Sequence, residues 1–247
     1  MQQISSDLNA DNFDQVDFLL PYWAETRFDH VEMGLGERTP AGLIDEAIIW
    51  GGSAAGSGAV YTHEIGHSWL RFEDLYLLDP RAAGYGNSVY GAAGVWDIMN
   101  STFRENPEMF SWHRFLSGWL KDDQVTCLEN VDRRSEYFLS PIAKADGRPK
   151  TVFYRLGEGK ILAMEARRKI GFDNTNEQGV LVYLVNTNIA HAMGPIKTIR
   201  PIRSGGIGDE WVPGLIRKGE FIKTQGIVIR NIKSDRNGET IVIEPSK

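Results

Sequence analysis

The chain is 247 residues long, enough to bury a full core in one large domain or two small ones. A hydrophobic fraction of 42% and a charged fraction of 24% are those of a globular chain, and no apolar run approaches the ~20 residues of a membrane span. The net charge of -6 and pI of about 5.5 give no electrostatic grip on nucleic acid or anionic lipid, and the densest basic run, Arg167-Arg168-Lys169, reads as a short solvated patch.

In chain order, Met1 to Asp17 is polar and acidic and lacks a signal-peptide h-region. That composition fits either an intracellular protein or a mature or truncated piece of something longer. Val16 to Trp23 and Asp45 to Trp50 read as buried strands, the first with Pro21 near its end, and Gly34 to Leu43 between them as a loop. The small residues from Gly51 to Gly58 lead into a helix from Ala59 to Leu70, which sets Val60, His63, His67 and Leu70 at helical spacing. A Gly-rich connector from Ala82 to Gly94 precedes a second amphipathic helix, Pro107 to Leu120. Its candidate core residues are Phe110, Phe115, Trp119 and Leu120.

Beyond Leu120 the texture changes. Segments rich in β-branched and aromatic residues recur between turn signals: Val125 to Val131, Tyr137 to Ile142, Thr151 to Leu156, Lys160 to Ala166, Val180 to Val185, Gly226 to Ile232 and Thr240 to Glu244. Their lengths and spacing predict an antiparallel, sandwich-like β module over residues 121–247, separate from a helix-bearing domain over residues 1–120. Ile189 to Glu220 reads as an irregular excursion. Cys127 is alone, which excludes an intrachain disulfide, and no histidine lies near it in the sequence.

The segment that carries chemistry is His63-Glu64-Ile65-Gly66-His67. Two histidines four apart on a helix lie on one face, so both imidazoles can reach one ion. Imidazole nitrogens suit zinc, and a glutamate beside the first histidine can take a proton from a water that the metal activates for attack on a carbonyl. A solvated or core helix face is the bland alternative. Tyr61, Ile65 and Trp69 make the surroundings apolar, however, and a buried glutamate between two histidines is costly without metal or hydrogen bonds. A catalytic site needs a third protein ligand and one open position. The nearest acids are Glu73 and Asp74, six and seven residues past His67. On a straight helix Asp74 would lie about 10 Å further along the axis, so the chain must turn between Leu70 and Phe72.

Further motifs follow in order: Asp74-Leu75-Tyr76, then Trp96-Asp97-Ile98-Met99-Asn100, then the run from Phe110 to Leu120 with Trp112 and the Gly118-Trp119 pair. This order resembles the immune inhibitor A family of secreted bacterial zinc metallopeptidases, whose pattern runs HExxH, D-L-Y, W-D-[IL]-M and a helix with a tryptophan shortly before G-W. Glu165-Ala166-Arg167, Gly171-Phe172-Asp173 and Gln178 to Tyr183 are similar to the β module that follows the peptidase domain there, so the resemblance covers roughly residues 45 to 187. It implies an α+β fold, a metzincin-like peptidase domain followed by a β-sandwich-like module, with secretion and a removed pro-region. It also implies Zn2+ held by His63, His67 and Asp74, Glu64 as the catalytic base, and Met99 as the Met-turn residue under the ligands. The chain departs from the metzincin pattern at one place: Leu70 stands where a turn glycine is expected, and Glu73 sits at the metzincin spacing for the third ligand.

Other residues carry weaker signals. His113 reads as a helix-packing residue, and His30 and His191 as structural histidines. Tyr76 and Tyr90 can donate to an oxyanion or simply pack, and Asp173, Asn174 and Glu177 offer oxygens for Ca2+ or form an ordinary polar turn. The leading expectation is a metalloendopeptidase acting on protein or peptide substrates. The alternatives are a non-catalytic binding or adhesion module on a degenerate peptidase fold, favoured by Leu70 and by only 62 residues ahead of His63, and a zinc hydrolase of small amides.

Overall fold

Segments rich in β-branched and aromatic residues between turn signals call for strands in the C-terminal half, and strands dominate there among the described residues. The computed structural model describes residues 37–39, 42–44, 58–68, 70–102, 108–173, 175, 177–201 and 214–246. The chain divides into two compact units, Met1–Phe72 and Glu73–Lys247.

In the first unit, β1 (Glu37–Thr39) and β2 (Gly42–Ile44) pair antiparallel, with Glu37 opposite Ile44. The loop expected from Gly34 to Leu43 is therefore a short hairpin over its described part. Helix α1 (Gly58–Ser68) carries the two histidines. The strands expected from Val16 to Trp23 and from Asp45 to Trp50 lie outside the described residues.

The second unit opens on turns, including most of the Gly-rich connector, and then enters helix α2 (Ser111–Leu116). A 3-10 turn, Asp122–Gln124, leads into nine strands among the described residues: β3 (Val125–Leu128), β4 (Ser135–Leu139), β5 (Thr151–Gly157), β6 (Lys160–Arg167), β7 (Gly179–Asn186), β8 (Ile196–Ile199), β9 (Phe221–Thr224), β10 (Ile227–Asp235) and β11 (Gly238–Pro245). They form a five-stranded sheet, β3-β5-β6-β7-β8, and a four-stranded sheet, β4-β11-β10-β9. Neighbours run antiparallel except β3 and β5, which are parallel with Val125 beside Thr151. One apolar core joins the sheets, with Leu162, Met164 and Val182 from one side meeting Ile229, Ile241 and Ile243 from the other. Turn chemistry fixes the hairpins. Gln225 and Gly226 both take positive φ (49° and 76°), as a two-residue turn between twisted strands requires. At Gly238 (φ 153°) a Cβ would collide with the Leu139 carbonyl, so β4 can lie against β11 only with glycine there.

Several expectations need correction. The α+β metzincin-like class does not hold for the described residues, which are mostly β; their α-helices span only 11 and 6 residues. The helix expected from Pro107 to Leu120 is cut short because the chain turns at Ser117 and Gly118 (φ 70°), and Pro107 lies outside the described residues. Phe110 and Leu120 are buried, but Phe115 and Trp119 are 38% and 52% exposed, so apolar periodicity overstated the core face. Strands β8 and β9 were not expected; β8 interrupts the excursion from Ile189 to Glu220. No helix of the described residues is long and apolar enough to cross a membrane.

A further correction concerns Arg167, which is fully buried rather than solvated. Burying a guanidinium requires acceptors for its N–H groups and compensating charge. Its Nε and Nη2 donate to the two oxygens of Asp173, both at 3.0 Å, and its Nη1 donates to Glu165 Oε1 at 2.8 Å. Nη2 also reaches the carbonyls of Trp96 (2.9 Å) and Glu108 (3.3 Å), tying the segment before α2 to strand β6. Burial alone would lower the Arg167 pKa, but the facing Asp173 and Glu165 carboxylates outweigh it and push it further up. Glu165 Oε2 meanwhile accepts from Ser111 N–H (2.6 Å) at the start of α2 and from the Tyr183 hydroxyl (3.0 Å). Replacing Arg167 by Leu strands two carboxylates in the interior, and urea unfolding should show a loss of about 3–5 kcal/mol. A loss below about 1 kcal/mol would mean that the carboxylates find other cations.

Candidate metal centre

In α1, the i, i+4 spacing sets His63 and His67 on one face, with their Nε2 atoms 3.0 Å apart and their rings nearly perpendicular (89°). His63 is buried at 7% exposure, and His67 and Glu64 are half-buried. His67 Nδ1 lies 2.6 Å from the Phe72 carbonyl oxygen. A carbonyl can only accept, so Nδ1 carries the proton and, in the neutral ring, Nε2 keeps its lone pair. This is the arrangement typical of zinc-binding histidines, in which the outer nitrogen donates to a backbone carbonyl and the inner one faces the metal. Two nitrogens on one tetrahedral zinc at ~2.0–2.1 Å stand about 3.3 Å apart, within a few tenths of an ångström of this pair. The donor set therefore fits zinc.

The departure at Leu70 has a structural resolution. Arg71, one residue later, takes the left-handed conformation (φ 56°), and its N–H donates to the His67 carbonyl at 3.2 Å. Phe72 N–H reaches back to the Gly66 carbonyl at 3.0 Å. This is an αL C-cap made by a non-glycine residue, at a cost of roughly 1 kcal/mol. The turn also brings the Phe72 carbonyl to His67, so the backbone strain and the imidazole orientation arise from one local device.

The second unit holds the candidate third ligands. Asp74 is buried at 8% exposure and Glu73 is half-buried. Asp74 N–H donates to His191 Nδ1 (3.2 Å), Ala192 N–H donates to the Asp74 carbonyl (3.1 Å), and Asp74 Oδ2 lies 3.3 Å from His191 Nε2. The next residue, Leu75, donates to the carbonyl of Met99 at 3.0 Å, so the expected Met-turn residue is fully buried beside the Asp74 segment.

Met99 is itself held by Asp97. Asp97 Oδ1 accepts from Met99 N–H (2.8 Å), and Oδ2 accepts from Phe110 N–H (2.6 Å) and His113 Nδ1 (2.9 Å). Burial raises the Asp97 pKa, yet the His113 ring and these N–H groups overcome it and hold the carboxyl below its ordinary value. His113 is thus a buried link between the Trp96–Asn100 turn and α2. Tyr76 and Tyr90 are half-buried in this unit, and the Tyr90 carbonyl accepts from the Asn100 amide at 3.2 Å. Asp173 spends both oxygens on Arg167, and Glu177 pairs with Arg217; Asn174 and His30 lie outside the described residues. These acids are committed to different arginines, which gives a shared Ca2+ site no support.

Sequence reasoning read His191 as a structural histidine and gave it no neighbour; it contacts Asp74, 117 residues away in the chain. A lone histidine in a loop carries no spacing signal, so only the folded chain reveals its neighbour. Turning to known proteins, no family model, no curated protein and no solved structure matches this chain.

Because Asp97 is held below its unfolded value of ~3.9, its contribution to stability is fully present above that pH and is lost as pH falls through the lower folded value. The stability gap between wild type and Asp97→Asn should therefore be widest above about pH 4 and shrink on further acidification. Unfolding measured across pH 2–6 tests this, and a gap that stays constant over that range, roughly two units to either side of the unfolded carboxyl, contradicts it.

Proposed function

We propose that this chain is a zinc-dependent metallopeptidase that hydrolyses peptide bonds of protein or peptide substrates. The observation that carries the reading is the His63–His67 pair, with Nε2 atoms converging at 3.0 Å and His67 held by the Phe72 carbonyl. His63 and His67 would hold the ion through Nε2 and Asp74 through a carboxylate oxygen; each of the three offers one ligand atom. Asp74 is favoured over Glu73 because it is the more buried and because His191 and Ala192 restrain it. Zinc, when bound there, supplies the Lewis acidity that makes water a usable nucleophile near neutral pH.

The remaining steps belong to the chain's own residues. Glu64, next to His63 on the same helix, accepts the proton of the attacking water at its carboxylate and returns it to the departing amide nitrogen. The two imidazoles donate neutral lone pairs, so Asp74 contributes the only ligand charge and leaves the site net cationic toward the substrate carbonyl. Buried Met99, whose carbonyl accepts from Leu75 N–H, would anchor the Asp74 segment through the main chain. The sequence resemblance to the immune inhibitor A family is a second support for peptidase among zinc hydrolases.

Glu64→Gln separates catalysis from binding. Zinc content should stay at the wild-type level while casein cleavage falls by about 10²–10⁴-fold, the usual share of a general base. Chelator should abolish wild-type cleavage. Cleavage that survives Glu64→Gln would overturn the mechanism, and zinc binding without any cleavage by the wild type would favour the non-catalytic binding module.

A further inference from the structure

Resting on the zinc-site reading above, we infer that His191 is a positioning residue that holds the Asp74 carboxylate in the orientation a metal ligand needs. Asp74 N–H is a donor, so His191 Nδ1 must accept from it at 3.2 Å, which leaves the ring proton on Nε2. His191 Nε2 also lies 3.3 Å from Asp74 Oδ2, a close charge–dipole contact beside that hydrogen bond. One imidazole therefore contacts both the main chain and the side chain of one residue, restricting the carboxylate's rotation and leaving Oδ1 to be directed elsewhere. With Nδ1 accepting from Asp74 and the proton on Nε2, the neutral ring serves as a clamp and not as a ligand.

The clamp is itself anchored. Ala192 N–H donates to the Asp74 carbonyl at 3.1 Å, and Leu78 N–H donates to the Ala192 carbonyl at 3.1 Å. Ala192 is fully buried at a positive φ of 55°, a conformation of roughly 1 kcal/mol cost that orients the preceding histidine toward Asp74. The His191 side chain is 55% exposed over a carboxylate that is only 11% exposed, so it covers Asp74 from the solvent side. Such outer partners of metal ligands fix ligand geometry and raise ligand basicity, and their loss typically weakens metal binding by about 10–100-fold.

The test is zinc affinity of the full chain by chelator competition, with thermal unfolding of the zinc-free proteins alongside. His191→Ala should weaken zinc binding by about 10–100-fold while the zinc-free unfolding temperature stays near that of the wild type. His191→Gln, whose amide keeps a donor toward Oδ2, should recover part of the loss. Wild-type affinity in His191→Ala would overturn the assignment, as would a loss in His191→Gln as large as that in His191→Ala. A wild-type chain that binds no zinc would instead defeat the metal-site reading itself, a result distinct from any behaviour of the two variants.

Discussion

A guanidinium can sit in a protein interior only if its N–H groups meet acceptors and its charge meets an opposite one. Arg167 satisfies both conditions at the edge of the β core, and much of the second unit is organised by that requirement. Its pairing with Asp173 and Glu165 fixes the end of β6, and its bond to the Trp96 carbonyl brings in the segment before α2. One residue on, Asp97 fastens Met99, Phe110 and His113. Met99 then receives the N–H of Leu75, next to Asp74. Three hydrogen bonds and two peptide links thus lead from the buried cation to the carboxylate proposed as a ligand. Each is a charged or backbone group whose burial would be costly alone, so the positions are mutually enforced.

The β structure was the most legible part of the sequence, because segments rich in β-branched and aromatic residues between turn signals, such as Gly226 to Ile232, mark strands, although composition there does not report that Asn231 faces inward. Helix extents were less so. Apolar residues at helical spacing run on to Trp119, but Ser117 and Gly118 end α2 early and leave Trp119 half-exposed, while Phe115 within the helix packs only partly, against Trp112 and Phe153. The peptidase-like motif order suggested an α+β domain that the described residues do not form. Short motifs specify a local constellation of side chains and leave the surrounding architecture open.

At the candidate site, the H-E-x-x-H spacing made the histidine pair readable, since helix geometry alone sets the two rings together. The turn after it was legible as lying between Leu70 and Phe72, but the residue that makes it was not: glycine is the usual left-handed residue, whereas here Arg71 adopts that conformation, with its N–H bonded to the His67 carbonyl and that of Phe72 to the Gly66 carbonyl. Arg167 was misread for a related reason: a run of three basic residues has the composition of a solvated face, and only the distant acceptors on Trp96 and Glu108 show otherwise. His191 depends wholly on a contact remote in sequence. Local chemistry was visible, and long-range compensation was not.

The central claim is that His63, His67 and Asp74 hold zinc. X-ray absorption spectroscopy at the zinc edge of the metal-loaded full chain tests it directly. The account predicts a first shell of nitrogen and oxygen alone at ~2.0–2.1 Å, with the outer-shell scattering of two imidazoles and one carboxylate. A sulfur scatterer at ~2.3 Å, which would implicate Cys127, or a shell with fewer than two imidazoles, would contradict it.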